Sequence, residues 1–560
     1  MAHAKSVELT KVPAVLPPLM WSATTSFSNS TYTRTVKQTI STASLVVIDW
    51  GDGVKEAYNA ISSGAAQSFS HTYALGTPNN CEIKAYGCES YLVGLDLIEQ
   101  EIVAVDLEDL TALTNVKLSK NRIEQTVNLT NSKNLGTCEI MLNTGTNPLI
   151  LSVFDVAKLF LKDSPNIEGV LDLKDANGLL DLRFSNTKVT GLILPDPNSR
   201  AGLPLQAIRG VNSLIHGHLD VSNYEQLELL KFDLPRTGSL KLTSINVSNL
   251  PALENINLRM QAVGGTVDLS ASTLLQGCRM SDMTNAVAAT ISISDVGSLD
   301  LANSNFIGTL DLQNVTRMTF CNISGTDITS VPMPPLSARS TIPLTDFNAQ
   351  FTNLTSLDLR DFPSLFKVRA RNCAISQFQI TGSPLVDELS ILNNALAGTL
   401  DLSDQVNMRS LNIDYNNVNS FSLILPNTSH LLKTITAPGS LLSGTLDLTH
   451  ASDIETITLD ATPITEILLP TSLNTVSNKD LDISLNQCSN LDVTDIQGVA
   501  DHILNWMNNP SLNYTFSGSS LKVFKTVGMT ILTIADFNDP PLQTDLGTIH
   551  NAGWTVTPTP

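Results

Sequence analysis

Seven aspartates stand in one recurring setting, each between two apolar residues: Leu171-Asp172-Leu173, Leu219-Asp220-Val221, Val267-Asp268-Leu269, Leu310-Asp311-Leu312, Leu357-Asp358-Leu359, Leu400-Asp401-Leu402 and Leu446-Asp447-Leu448. Carboxylates in series point to calcium ligation or to the acid and base of a glycoside hydrolase. Their spacing of 43 to 48 residues argues against both. If that interval is two coils of a stacked repeat, successive carboxylates lie about 10 Å apart. No calcium with bonds of about 2.3–2.6 Å bridges two of them. So regular a face also nominates no particular pair, which leaves a β-solenoid glycosidase as a minor alternative. Repulsion between neighbours is roughly 0.4 kcal/mol in water before screening. The ladder is expected to be a solvated outer face.

A second series suits recognition better. Lys117, Arg183, Lys231, Asn257, Arg279, Asn322, Asn348, Arg369 and Asn412 each occupy the middle of an apolar-x-apolar triplet. In a strand that middle residue points away from the core. These nine side chains form the candidate ligand face, a mildly basic surface on an acidic chain, with amides that suit glycans or polar protein surfaces. The competing reading is the plain solubilising exterior of a sheet.

Other reactive types do not converge. His216-Gly217-His218 lacks a third metal ligand. Of seven cysteines, Cys138, Cys278 and Cys321 take the first apolar slot of a strand, Cys373 a polar slot and Cys488 a closing apolar slot, so all five are expected to be small buried residues. Cys81 and Cys88 either pair or remain free thiols. There is no nucleophile elbow, phosphate loop, zinc spacing or set of Rossmann glycines. No catalytic, cofactor or metal residue is assigned, and the chain is read as a non-enzyme.

What positions these residues is a repeat running from about Leu95 to Ile483. Its frame is apolar-x-apolar-x-x-(Asn/Thr/Ser)-x-apolar, as in Val116-Lys117-Leu118…Asn121…Ile123 and Leu411-Asn412-Ile413…Asn416…Val418. Taking middle residues as register, from Asp96 through Ile208 to Asp482, yields about 18 coils at steps of 21 to 26 residues, the range of leucine-rich repeats. The polar slot, filled by Asn121, Asn143, Asn212, Asn394, Asn416 and Asn486, is expected to turn inward and satisfy buried loop groups. Triplets such as Asn128-Leu129-Thr130 arise from that frame and carry no sign of glycosylation. A second strand follows in each coil. The Asp-bearing version alternates with runs such as Leu192-Ile193-Leu194-Pro195, so the true unit is a pair of unlike coils of about 46 residues.

Both ends read differently. Val47-Ile48-Asp49-Trp50-Gly51-Asp52-Gly53, followed by Ser70-His71-Thr72-Tyr73, resembles the PKD-type immunoglobulin-like domain. That resemblance implies a β-sandwich spacer or adhesion module over residues 1–92. Asp49 and Asp52 are read as turn caps, with calcium ligation the alternative. The solenoid is assigned to 93–488 and a small α+β cap to 489–560, with a helical run at Ile496, Val499, Ala500, Ile503, Leu504 and Met507, a strand at Leu512–Phe516 and a second helical run near Leu542–Ile549. The closing Gly553-Trp554-Thr555-Val556 resembles the end of leucine-rich proteins of phages and Bacteroidetes.

A hydrophobic content of 42% with 15% charged residues fits a well-buried solenoid, and a net charge of −20 disfavours nucleic acid and anionic membranes. The amino terminus shows no apolar secretion segment and no run is long enough to span a bilayer. Extracellular-type modules without such a segment fit a bacteriophage virion exterior component, a tail or head fibre that attaches to the host. The alternatives are a bacterial cell-surface adhesin and a structural virion scaffold. Expected partners are other virion proteins, docked through the N-terminal domain, and a bacterial surface glycan or protein; self-association is allowed, and no cofactor is expected.

Overall fold

The computed structural model describes residues 9–26, 32–62, 65–74, 80–233, 241–283, 287–473, 481–488, 490–491, 493–508, 520–522, 525–527, 530–532, 540–551 and 555–557. It divides into two compact units, Met1–Ala289 and Thr290–Pro560. In the first, short parallel strands pair one coil to the next, from Asn115–Lys117 through Leu135–Glu139, Val156–Phe160, Asp181–Arg183 and Ala207–Arg209 to Gly277–Arg279. The second repeats the pattern from Ser298–Asp300 to Asp482–Ser484. Alternation fixes the packing: Val116, Leu182 and Leu411 point inward and are fully buried, while their flanking residues face out.

Register departs from expectation at two coils. Arg209, not Ile208, aligns with Arg183 and Lys231, and Ile208 is buried opposite Leu182 and Leu230. Gly210 stands where the frame has an apolar residue, because Phe184 and Phe232 of the adjoining coils meet over it with ring centroids 5.9 Å apart. Likewise Ser484, not Asp482, aligns with Thr458. Leu481-Asp482-Ile483 and Ile483-Ser484-Leu485 both satisfy the frame, and the structure selects the second.

The polar slot explains itself through hydrogen bonds. Buried Asn416 donates Nδ2 to the carbonyls of Ile391 (3.1 Å) and Ile413 (2.8 Å), and Asn394 treats Ala370 and Ile391 the same way. Asn121 and Asn143 also accept from loop N–H groups of a neighbouring coil. A hydroxyl in the slot bonds either its own turn, as Thr187 does to Phe184 O at 2.6 Å, or the preceding coil, as Ser164 does to Ile140 O at 2.7 Å. Cys373 and Cys488 direct their thiols to carbonyls at 3.1 Å, so Cys488 fills the polar slot rather than a closing apolar one. With the register corrected, Asn212 and Asn486 are not slot residues. Ser213 bonds Gly210 O in place of Asn212, which lies on the surface and pairs with Asn186.

The second strands form two-stranded pieces instead of a continuous second face. Glu168–Asp172 pairs with Lys188–Ile193, Gly217–Asp220 with Leu242–Asn246, Gly398–Asp401 with Phe421–Ile424 and Gly444–Asp447 with Ile464–Leu468. These are the expected pairs of unlike coils. Between pairs, the longer coil leaves its strand through a proline such as Pro195 or Pro426, which offers no N–H to a ladder. The glycine opening many Asp strands (Gly398, φ +74°; Gly444, φ +85°) takes a backbone conformation disfavoured for other residues.

The expected boundary at 92/93 falls inside a strand. Leu92–Asp96 pairs antiparallel with Tyr32–Ile40 and parallel with Asn115–Lys117, while Ile102–Asp106 joins Leu19–Ser26. Leu19–Ser26 also pairs with Asn80–Tyr86, and the same antiparallel sheet goes on through Ser44–Asp49 to Lys55–Ala60. Here Trp50 stacks on His71 at 5.3 Å, Tyr73 donates to Trp50 O at 2.7 Å and His71 Nε2 meets Asp52 at 2.7 Å. Asp49 and Asp52 cap the N–H groups of Gly51 and Val54, which is the turn-capping reading. Cys81 and Cys88 are not joined in a disulfide.

At the other end the ladder does not stop at residue 484. Ser520–Lys522 and then Thr555–Thr557 continue it. Helix Val493–Asn508 buries Ile496, Val499, Ala500 and Ile503, plus Trp506, whose Nε1 donates to Pro470 O at 3.1 Å; Leu504 is half-buried. The second helical run forms Pro540–Asn551. Leu512–Phe516 and Gly553-Trp554 lie outside the described residues. Among the described residues no helix is long and apolar enough to cross a membrane.

Asn416→Ala leaves two buried carbonyls and one N–H without their partner and is expected to cost about 2–4 kcal/mol, whereas Asn212→Gly, which keeps the φ of 55° there, stays within about 0.5 kcal/mol. Urea denaturation of both variants checks the corrected register.

Candidate functional site

The predicted ligand face divides between the two units. In the first, Arg183 is bound by Asp181 at 2.6 Å, Arg209 by the same carboxylate at 2.8 Å and Arg259 by Asp282 at 3.0 Å. Arg183 also lies over the Phe160 ring at 4.6 Å. Lys231 lies 3.9 Å from Asp233, whose carboxyl burial pushes above its ordinary value despite the cations around it. Asn257 donates to that same carboxylate at 3.0 Å, and Arg279 approaches Ser281 at 3.5 Å. The mildly basic stripe is thus largely compensated by aspartates of its own strands. Lys117 projects from the same ladder, 22 residues upstream of its partner Glu139.

The asparagines have a structural duty that their spacing did not suggest. Asn257, Asn322, Asn348 and Asn412 each accept, through Oδ1, the N–H two residues on, at 3.2–3.3 Å. Such Asx turns end the strand. In the second unit Arg369 reaches Glu388 at 3.4 Å beside Lys367 at 2.9 Å.

The aspartate ladder uses the same device. Asp268 accepts from Ser270 N at 3.0 Å and Ser270 Oγ at 2.6 Å; Asp447 does the same for Thr449. Asp220, Asp311 and Asp401 cap their i+2 N–H groups too. Two rungs carry a buried arginine as well. Arg200 bonds Pro195 O and Asp220, and Arg339 bonds Pro334 O and Asp358. Burial works against the ionised Asp358, yet hydrogen bonds from Arg360 and Arg339 hold it at about 2. In the comparable loop after Pro426 the buried side chain is His430, 3% exposed, and burial together with His450 lowers its pKa. His216 and His218 do not converge; one meets Leu214 O and the other Ser244 Oγ.

One row went unnoticed in the sequence. Immediately after each first strand, a residue adopts positive φ because its N–H donates to a carbonyl of the next coil. In the second unit this row contains Phe351 (φ 58°), Asn372 (56°), Asn393 (51°) and Tyr415 (54°), with N–H bonds to Arg371, Leu392, Asp414 and Pro438 carbonyls. Asparagine and glycine tolerate this geometry, whereas an aromatic residue there stores strain of about 1–3 kcal/mol. Phe351 and Tyr415 are nevertheless 58% and 54% exposed, so burial does not offset that strain. Arg371 leans over Phe351 at 5.9 Å, and Asn393 Nδ2 donates to Asn372 Oδ1 at 2.8 Å. Asn348, Arg369 and Asn412 of the predicted face belong to the same coils; the sequence signal would have been the residue three after each middle position.

No protein-family model and no curated protein matches the chain. Among solved structures it is similar to the functional domain of InlJ from Listeria monocytogenes (18% identity, 80% of this chain and 77% of that one, TM-score 0.34). It is also similar to YopM from Yersinia enterocolitica (18%, 71% and 85%, 0.36) and to the Leptospira interrogans LRR protein LIC12759 (14%, 73% and 93%, 0.32). The fold is a leucine-rich-repeat solenoid. It is mainly β, with about 17 turns and few helices, and its strand ladders and polar slot carry that assignment.

Asp268→Asn should keep the melting temperature, since an amide oxygen caps equally, while Asp268→Ala should cost about 1 kcal/mol. Added calcium should move neither variant in calorimetry. For His430 the folded pKa lies below the unfolded value of 6.5, so the unfolded chain binds more protons and stability falls as pH drops through and below 6.5. His430→Leu should flatten that part of the melting-temperature profile between pH 7.5 and 5.

Proposed function

We propose that this chain is a non-enzymatic binding protein on the exterior of a bacteriophage virion, where it attaches the particle to the host surface. The observation carrying the binding role is the pair of exposed aromatics, Phe351 and Tyr415, kept in a strained backbone row without compensating burial. Strain that local packing does not offset is a mark of functional sites. A stacked repeat also supplies the extended surface that such attachment uses. The virion assignment rests on sequence resemblance: the Trp50-Gly51-Asp52-Gly53 motif of PKD-like modules and the closing Gly553-Trp554-Thr555-Val556. In this reading the N-terminal strands are an immunoglobulin-like module that docks on other virion proteins, and the solenoid faces the host.

Fluorescently labelled protein is expected to decorate whole cells of one bacterial host, and virions lacking it are expected to lose adsorption at least ten-fold. Unlabelled cells together with normal adsorption would leave a scaffold. Decoration with no effect on adsorption, from a gene lying among transport or polysaccharide genes, would make the protein a cell-surface adhesin.

A further inference from the structure

We infer that the strip from Phe351 to Tyr415 holds a hydroxyl-rich glycan chain, an inference that rests on the binding role proposed above. The strip is periodic. Its four row residues sit on successive coils, so the two aromatic residues are separated by three ladder steps, about 14 Å. A polymer of repeating sugars presents groups at regular intervals along such a line.

Chemistry between the rings points the same way. The Asn393 to Asn372 hydrogen bond consumes one donor and one acceptor. Asn372 Nδ2, with two N–H donors, and Asn393 Oδ1, with two lone pairs, remain without a partner among the described residues. A hydroxyl group both gives and takes a hydrogen bond, so a vicinal pair of hydroxyls satisfies the two amides together. Phe351 and Tyr415 offer broad ring faces, and Tyr415 adds a phenolic hydroxyl, suited to the C–H face and hydroxyls of a sugar ring. The Tyr415 ring lies beside Gly439 of the next coil, where an added Cβ would come within 3.1 Å of it, so the glycine leaves room for the ring at the end of the strip.

A peptide fits less well. Peptide recognition concentrates on side chains buried in desolvated pockets, and both rings stand more than half exposed on an edge. The adjoining charges of Lys367 and Arg369 are already taken by Glu388, so the strip offers amides and aromatic rings, with Arg371 over Phe351 as its one adjacent charge among the described residues.

The test compares the full-length wild type with Phe351→Asn and Tyr415→Asn. Asparagine is favoured at positive φ, so both variants should melt at or above the wild-type temperature while binding falls at least ten-fold. A purely structural role for the rings would lower the melting temperature, and unchanged binding would overturn the inference. Binding is read on bacterial cells treated either with periodate, which cleaves vicinal diols, or with protease. Loss after periodate and retention after protease is expected; the reverse overturns the glycan assignment and leaves attachment standing. A microarray of bacterial oligosaccharides reads the strip without cells. Capture of wild type but of neither variant is expected even if attachment to cells fails, and no capture overturns the inference.

Discussion

A coil that turns inward buries backbone carbonyls away from water, and every one needs a donor. That requirement governs this molecule. The polar slot meets it with Asn121, Asn143, Asn394 and Asn416, whose amides bond the turn of their own coil or a neighbouring one. Serine, threonine and cysteine fill the slot with a single donor where one bond suffices. Because each amide reaches across to another coil, stacking and turning are one interaction, and the apolar interior of leucine, isoleucine and valine is assembled around it.

The same ladder dictates what the surface can offer. Donation of a post-strand N–H to the next coil forces positive φ at one position per coil, and most coils answer with asparagine, aspartate or glycine. Side chains at that position project outward by construction. An aromatic residue there gains exposure at the expense of backbone comfort, as Phe351 and Tyr415 do; Leu142 is the exposed aliphatic residue in the same row of the first unit. By contrast, Arg183, Arg209, Lys231 and Arg259 of the first unit are spent on Asp181, Asp233 and Asp282. Formal charge at an outward position was a poor guide to availability.

Period and inward-outward alternation were legible because they depend on residue class alone. Thus Val116, Leu182 and Leu411 were placed correctly from pattern. Register failed where two frames overlapped, at residues 481–485, and where Gly210 replaced an apolar residue beneath two phenyl rings from other coils. Those are tertiary facts. The Asx role of the aspartates and asparagines was present in the sequence as Asp-Leu-Ser or Asp-Leu-Thr, but an acceptor for an i+2 N–H is invisible while a residue is read only as outward and charged. The second strands were legible as pairs of unlike coils; that Pro195 and Pro426 end the pairing between one pair and the next was not.

Whether the row of positive-φ residues is where a partner sits can be read directly by hydroxyl-radical footprinting of the full chain on host cells. Phe351 and Tyr415 should lose most of their oxidation on binding, while Phe154, exposed in the other unit, keeps its own. Protection of Phe154 with unchanged oxidation of Phe351 and Tyr415 would contradict the account.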